Sequence, residues 1–115
     1  MGGARALGSL TTLTILDISC NNLRKDGALL LAQHMPNLIR LDVSMNQIGS
    51  LGAQAIAENL TKLMDLSLCY NQLENTDVNT LNHLMKLRKL KIKKGNYLTA
   101  SRIKALSQFT KLPVE

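Results

Sequence analysis

The sequence predicts an α/β solenoid with a concave parallel sheet and convex helices. First, the pattern L-x-x-L-x-L begins at Leu13, Leu38, Leu63 and Leu87. The first two intervals between these leucines are equal, and the third is one residue shorter. A fixed period of roughly 20–50 residues is typical of repeat architectures. Second, hydrophobic residues make up 45% of the 115-residue chain but aromatic residues only 3%. The core is therefore expected to be aliphatic and assembled from many similar small units.

Each repeat begins with a predicted strand in which apolar and polar residues alternate. Because alternate residues of a strand point to opposite faces, the apolar ones are expected in the core and the others on the concave face. The inward pairs are Leu16/Ile18, Leu41/Val43, Leu66/Leu68 and Leu90/Ile92.

An asparagine follows each of the first three strands, at Asn21, Asn46 and Asn71. A short amide side chain can satisfy the backbone polar groups of the turn that leaves a strand. The fourth copy has Gly95 where the asparagine is expected, and Asn96 one place later. Either that turn is rebuilt by one residue or the series of asparagines ends there.

The second half of each repeat is predicted to be helical, since residues 27–35 and 52–60 keep apolar residues three and four apart. The proposed N-caps are Asp26, Ser50, Thr76 and Thr99. Strands that alternate with helices at this period imply a parallel sheet with right-handed crossovers.

We predict a single repeat domain over residues 1–115, with a partial helical half-repeat at 1–12. Leu112 is expected to begin a further copy, at the interval that separates the first three.

Three copies fit the pattern L-x-x-L-x-L-x-x-N-x-L, with leucine or another aliphatic residue at the leucine positions: LTILDISCNNL, LIRLDVSMNQI and LMDLSLCYNQL. On these motifs the chain resembles a leucine-rich repeat protein. The helical second halves and the repeat length of roughly 25 residues resemble the ribonuclease-inhibitor-like subfamily. The resemblance implies a horseshoe fold, a buried ladder formed by Asn21, Asn46 and Asn71, and a protein as binding partner. Bacterial effectors that engage host proteins carry similar repeats, so an effector fragment acting in host cytoplasm is one interpretation.

The formal net charge of +6 is unevenly distributed along the chain. Residues 1–62 carry five basic and four acidic residues, whereas residues 63–115 carry nine and four, which gives +1 and +5. All nine basic residues of the second half fall between Lys86 and Lys111, where no acidic residue occurs. This asymmetry predicts an acidic partner surface for the second half.

The outward strand positions predict the residues that contact a partner. They are Arg40, Asp42, Asp65, Lys89, Lys91 and Lys93, joined at the strand exits by Met45, Tyr70 and Lys94. Lys89, Lys91 and Lys93 are expected to point the same way, at intervals of roughly 7 Å. Two interpretations stay open: the lysines bind an acidic surface, or they protect the edge of a last strand from pairing with another sheet.

Two other pairs are expected to lie on adjacent strands. Asp17 and Asp42 could share a proton or a metal, but no third ligand lies in register, so we expect two solvated acids near Arg40. Met45 and Tyr70 are expected to be exposed where the strands end, and both residue types are enriched at interfaces. They form either a contact patch or ordinary loop packing.

The function predicted from these features is a protein-interaction module that uses its concave face. No nucleophile–base pair, glycine-rich phosphate loop or metal-ligand spacing is present in the sequence, so we expect no enzyme, no cofactor and no metal. The alternative is an electrostatic binder of nucleic acid or anionic membrane through residues 86–111. A third class is structural, with copies stacked end to end.

The location predicted for the chain is the cytoplasm. The first ten residues do not resemble a signal peptide, and no apolar run is long enough for a transmembrane helix. Cys20 and Cys69 stand two repeats apart, roughly 10 Å if neighbouring strands are ~4.8 Å apart, which is too far for a disulfide.

Overall fold

The computed structural model describes residues 11–110 and 112–115, except for the side chains of residues 109 and 110. Residues 1–10 of the predicted half-repeat, and Lys111, lie outside this part of the chain. The elements are β1 (Ile15–Asp17), α1 (Arg24–His34), β2 (Arg40–Asp42), α2 (Gly49–Asn59), β3 (Asp65–Ser67), a 3₁₀ helix (Asn75–His83), β4 (Lys89–Lys91) and α3 (Ala100–Thr110).

The four strands form one parallel sheet in the order β1-β2-β3-β4. Leu16, Leu41, Leu66 and Leu90 are paired in register, so the sheet follows the steps of the sequence repeat. Each strand is followed by a helical segment, and neighbouring helical segments contact one another. The predicted α/β repeat solenoid is therefore confirmed.

The core lies between the sheet and the helices and is aliphatic throughout the described residues. The inward strand residues are fully buried in the middle of the array, as Leu66 and Leu68 show, but Leu16 and Ile18 of the first repeat are only partly buried. From the helices, Ala28, Leu31, Ala53, Ile56 and Leu81 complete the cluster. Small residues also lie where neighbouring helices meet, since a Cβ atom on Gly52 of α2 would lie 3.1 Å from the Ala28 Cβ of α1.

The strand-exit turns are held by a ladder of asparagine side chains. The Oδ1 atom of Asn71 accepts hydrogen bonds from the N–H groups of Asn46 (3.1 Å) and Ile48 (3.3 Å) in the preceding repeat. Its Nδ2 atom donates to the carbonyls of Val43 and Cys69. Asn46 bonds the first turn in the same way.

The first end of the ladder differs from the sequence expectation, and the last end follows one of the two alternatives left open for it. Asn46 and Asn71 are completely buried, but Asn21 is exposed, because among the described residues no turn precedes it. At the other end Asn96 takes the ladder position, accepting from the N–H groups of Asn71 and Leu73. The fourth turn is therefore rebuilt by one residue and the ladder continues.

Lys93 is the extra residue of that turn. The Ile92 N–H donates to the Glu115 carbonyl in the same way as the Leu68 N–H donates to the Lys91 carbonyl, so Ile92 is the residue equivalent to Leu68. The number of residues from Leu68 to Ile92 is the same as from Leu66 to Leu90, which are also equivalent. The Lys94 carbonyl accepts from Tyr70 as the Cys69 carbonyl does from Met45, so Lys94 is equivalent to Cys69. The interval between equivalent residues thus lengthens by one residue between Ile92 and Lys94.

Three of the four predicted N-caps are wrong. Helices α1 and α2 begin two and one residues before Asp26 and Ser50, at Arg24 and Gly49, without a side-chain cap. The N–H groups of Arg24 and Gly49 donate instead to the main-chain carbonyls of Asn46 and Asn71 in the next repeat.

The last two helical segments have side-chain caps. In the third repeat the Asp77 carboxylate accepts from the Glu74 N–H, and Thr76 lies inside the helix. Only Thr99 caps a helix as predicted, by accepting from the Arg102 N–H.

The third helical segment is a 3₁₀ helix rather than an α-helix, and its repeat is one residue shorter than the others. A 3₁₀ helix rises ~2.0 Å per residue and an α-helix ~1.5 Å. The nine residues Asn75–His83 therefore span about the same length as the eleven residues of α2. Asparagine, aspartate and threonine side chains, which compete for backbone hydrogen bonds, also weaken the α-helix here.

The outer edge of β4 is covered. The Glu115 N–H donates to the Leu90 carbonyl, and the Glu115 carbonyl accepts from Ile92 and Lys93. Val114 pairs with Leu90 and is buried. Val114 therefore holds the inward position. In a copy beginning at Leu112 that position would belong to the next residue, Glu115, so the expectation that Leu112 begins a further copy is wrong.

We predict that Asn71→Ala lowers the free energy of unfolding by about 3–4 kcal/mol, because it leaves several buried N–H and carbonyl groups without partners. The matched change Asn21→Ala removes an exposed amide that, within residues 11–115 as far as the structure describes them, bonds only Ile18 and Ser19, and should cost less than about 1 kcal/mol. Urea denaturation followed by circular dichroism measures both. Equal losses in the two variants would contradict the role of burial.

Candidate functional site

The outward side chains of β1–β4 form a shallow depression of about 230 Å³ on the concave face. It is lined by Ile15, Leu16, Asp17, Arg40, Leu41, Asp42, Asp65, Ser67, Lys89 and Lys91. Strand pairing places these residues in two rows across the sheet. One row is Ile15, Arg40, Asp65 and Lys89, and the other is Asp17, Asp42, Ser67 and Lys91.

The charges of this face change from one side to the other. Asp17 and Asp42 are register partners on β1 and β2, while Lys89 and Lys91 lie on β4. Asp65 lies between Arg40 and Lys89 in its row. No ion pair joins the described charged side chains of this face, so they remain available to a partner.

The two aspartates are engaged by their own turns. Asp17 accepts from the N–H (3.0 Å) and the hydroxyl (2.8 Å) of Ser19, and Asp42 accepts from the N–H of Ser44 (3.0 Å). The repeated D-x-S motif is the sequence signal for this turn. Throughout the described residues, no group of three histidine, cysteine, aspartate or glutamate side chains is arranged to hold a metal ion.

Hydrogen bonding also changes the acidity of Asp17. The Ser19 N–H, and next the Ser19 hydroxyl, hold the pKa of Asp17 below its ordinary value, against a small opposing effect of desolvation. The bonds favour the charged carboxylate, so they stabilise the folded state above the ordinary pKa. This contribution is lost as the pH falls through the lowered pKa.

The predicted row of three lysines is wrong, because Lys93 does not continue the row of Lys89 and Lys91. As the inserted residue, Lys93 lines a groove with Ile103, Lys104 and Val114 beside α3, outside the concave depression. Strand β4 ends at Lys91. The concave face therefore holds two of the predicted lysines.

Lys94 lies at the border of the concave face. It occupies the turn position of Ser44 and Cys69, as the matching backbone hydrogen bonds show. In that column the Ser44 hydroxyl lies 2.7 Å from the Ser67 hydroxyl of the concave face. Gly95 therefore takes the strand-exit position that Cys20, Met45 and Tyr70 hold in the earlier repeats, and the prediction of Lys94 at this position is wrong.

Met45 and Tyr70 lie next to each other in the strand-exit column and are 48% and 45% exposed. Both adopt a left-handed backbone, with φ of 58°. A bulky residue rarely takes this conformation, so residue type did not predict it. The thiol of Cys20 donates to the Met45 Sδ atom at 3.3 Å, and Cys69 is also a free thiol.

Three further residues complete a groove that the sequence did not predict. Gln47, Gln72 and Gly95 line it together with Met45 and Tyr70, and its volume is about 290 Å³. The only sequence signal for the glutamines is their identical place, one residue after the ladder asparagine. Gly95 is required because a Cβ atom there would overlap the Tyr70 Cδ1 atom.

A leucine-rich repeat family model matches residues 9–32 and 34–57, which include the first two strands and most of the helices that follow them. No curated protein matches the chain. The family match and the four-stranded parallel sheet independently support repeats of this type.

We predict that Gly95→Ala destabilises the protein by about 2–3 kcal/mol, because a left-handed alanine is strained and its Cβ meets the Tyr70 ring and Cα. Gly49→Ala is the control, since Gly49 has a similar φ of 65° but nothing within 4 Å of the added Cβ. It should cost only about 1 kcal/mol. Thermal and urea denaturation compare the two, and equal costs would exclude the contact with Tyr70.

We predict that Asp17 titrates below the ordinary aspartate value of 3.8, and that Ser19→Ala raises its pKa without restoring it fully. The remaining depression comes from the residue 19 N–H, which alanine retains. Carboxyl ¹³C chemical shifts recorded against pH measure both midpoints. An unchanged midpoint in the variant would show that the hydroxyl bond is absent in solution.

Proposed function

We propose that this leucine-rich repeat solenoid is a protein-interaction module that binds its partner through the concave face. Leucine-rich repeat domains generally mediate protein–protein interaction and are typically not enzymes. The observation that carries the proposal is the outward set of charges between Asp17 and Lys91, which have no ion-pair partners among the described residues. The short strands hold these side chains in a fixed register, so binding orders little backbone.

The partner that this face fits has an acidic patch for Lys89 and Lys91. Both lysines are exposed, and among the described residues neither forms an ion pair, although Asp65 is the register partner of Lys89. Edge protection is less well supported, because it requires β4 to be an unpaired edge strand and Val114 and Glu115 pair with β4. Asp65 is the register partner of Lys89, and Arg40 and Asp42 lie one strand further away on β2, so these three residues select for complementary charges at the other side of the patch.

The alternative, binding of nucleic acid or anionic membrane through residues 86–111, finds less support. The described basic side chains of this segment are spread over different surfaces. Lys89 and Lys91 face the concave depression, Lys93 and Lys104 line the groove beside α3, and Arg102 reaches Asn79. Lys111 lies outside the described residues. No helix in the described ranges is long and apolar enough to cross a membrane, a finding separate from binding at a membrane surface.

The ribonuclease-inhibitor-like subfamily remains part of the proposal. It is supported by the α-helices that follow β1, β2 and β4. The 3₁₀ helix after β3 is the departure from a uniform pattern.

We predict that the double change Lys89→Glu and Lys91→Glu removes the partner, because it opposes an acidic patch with two new negative charges. Immobilised protein captures partners from a cell lysate, and quantitative mass spectrometry compares the variants. The captured amount of the partner should be at least tenfold lower with this variant than with wild type.

The matched control is Lys25→Glu with Lys86→Glu, which changes the net charge equally at exposed positions outside the concave depression. Captured proteins should be retained with it. Loss with both variants would mean that total charge, rather than the concave face, governs binding. Binding of a DNA duplex or anionic vesicles that collapses between low and moderate salt would instead favour the polyanion alternative.

A further inference from the structure

The strand-exit turns carry a second surface, which is separate from the concave depression. Its centre is the groove lined by Met45, Gln47, Tyr70, Gln72 and Gly95, which we call the turn groove. None of these residues lines the concave depression. The turn groove spans three successive repeats, so its length is roughly 10 Å at ~4.8 Å per strand step.

The apolar walls of the turn groove are held rigidly. The Tyr70 N–H donates to the Lys94 carbonyl (2.9 Å), and its ring lies against the Cα of Gly95. The Met45 N–H donates to the Cys69 carbonyl (3.0 Å), and its sulfur accepts from the Cys20 thiol. Both residues are held in the left-handed conformation by turns that the asparagine ladder fixes. Their exposed surface is therefore organised before any ligand arrives.

The chemistry of the groove fits one apolar side chain and a peptide backbone. Met45 and Tyr70 supply apolar surface and are each about half exposed. Gln47 and Gln72 are exposed, and their amides can donate to and accept from a main chain. Among the described residues, no charged side chain lines the groove. Absence of charge together with tyrosine and methionine is typical of the centre of a protein interface.

A positive charge adjoins the Gly95 end of the groove. Lys94 directly precedes Gly95 and is exposed, and its main chain is bonded to Tyr70. Lys94 forms no ion pair among the described residues, although Glu115, whose carbonyl accepts from the Lys93 N–H, and Glu74, which pairs with Tyr97, belong to adjoining segments. A ligand that fills the groove is therefore favoured if a negative charge lies toward Lys94.

We propose that the turn groove is a second docking site, which takes a short extended acidic segment of a partner protein. One apolar side chain of that segment lies between Met45 and Tyr70, and a carboxylate two residues along faces Lys94. The spacing follows from the geometry, since the midpoint between Met45 and Tyr70 lies one and a half strand steps, roughly 7 Å, from the repeat of Lys94, and two residues of extended chain advance roughly 6.6 Å. The site does not depend on the concave face and would hold even if that face binds nothing.

The test is an NMR titration of the ¹⁵N-labelled chain with a synthetic capped heptapeptide. The peptide contains one leucine, an aspartate two residues after it, and only serine and glycine elsewhere. We expect shifts at Met45, Gln47, Tyr70, Gln72 and Gly95, with a Kd in the millimolar range or tighter. Replacing the leucine by serine, or the aspartate by lysine, should weaken binding at least about fivefold.

The matched variants separate the two surfaces. Met45→Asn with Tyr70→Asn removes the apolar walls while asparagine tolerates the left-handed backbone, so the fold is kept and peptide binding is lost. Lys94→Ser should abolish the preference for aspartate over lysine. Lys89→Glu with Lys91→Glu, which tests the concave face, should leave the shifts at Tyr70 and Gln72 intact.

Three results would overturn the proposal. The first is an absence of shifts in the turn groove at several millimolar peptide. The second is equal binding of the aspartate and lysine peptides. The third is a set of shifts confined to the concave depression, which would assign the peptide to that face.

Discussion

The structure depends on one constraint: the buried N–H and carbonyl groups of each strand-exit turn must find partners. A single asparagine amide meets this need, since Asn71 accepts from two N–H groups of the preceding turn and donates to two carbonyls. The backbone is then fixed so closely that Met45 and Tyr70 adopt left-handed angles. The starts of α1 and α2 follow from the same turns, because their first N–H groups donate to the carbonyls of Asn46 and Asn71.

Properties that repeat with the leucines were predictable from the sequence. The inward columns, the parallel sheet and the aliphatic core all follow from alternation and period. The helix starts were not predictable, because the carbonyls that pair with Arg24 and Gly49 are distant in the chain and belong to the next repeat. The displaced Asn96 showed that the fourth turn differs, but only the backbone hydrogen bonds identify Lys93 as the extra residue.

The same insertion divides the lysines among three surroundings and changes what the charge asymmetry means. Lys89 and Lys91 belong to the concave face, Lys94 to its border with the turn groove, and Lys93 to the groove beside α3. A run of basic residues in the sequence is thus not one basic surface in three dimensions. Within the described part of the chain, two surfaces of different character result: a charged concave face without internal ion pairs, and an uncharged turn groove with one lysine at its end.

The Lys93 insertion also bears on how such an array evolves. A one-residue slip within a strand would move every following side chain to the wrong face. Here the extra residue lies after the strand, between Ile92 and Lys94. Leu90, which precedes it in the chain, stays buried, and Asn96, which follows it, keeps its ladder hydrogen bonds. The strand-exit turn is therefore a place where an ancestral gene can gain a codon without a compensating change in the core. At Lys93 the additional residue supplies a charged side chain to the groove beside α3, while Leu90 stays in the core and Asn96 stays in the ladder.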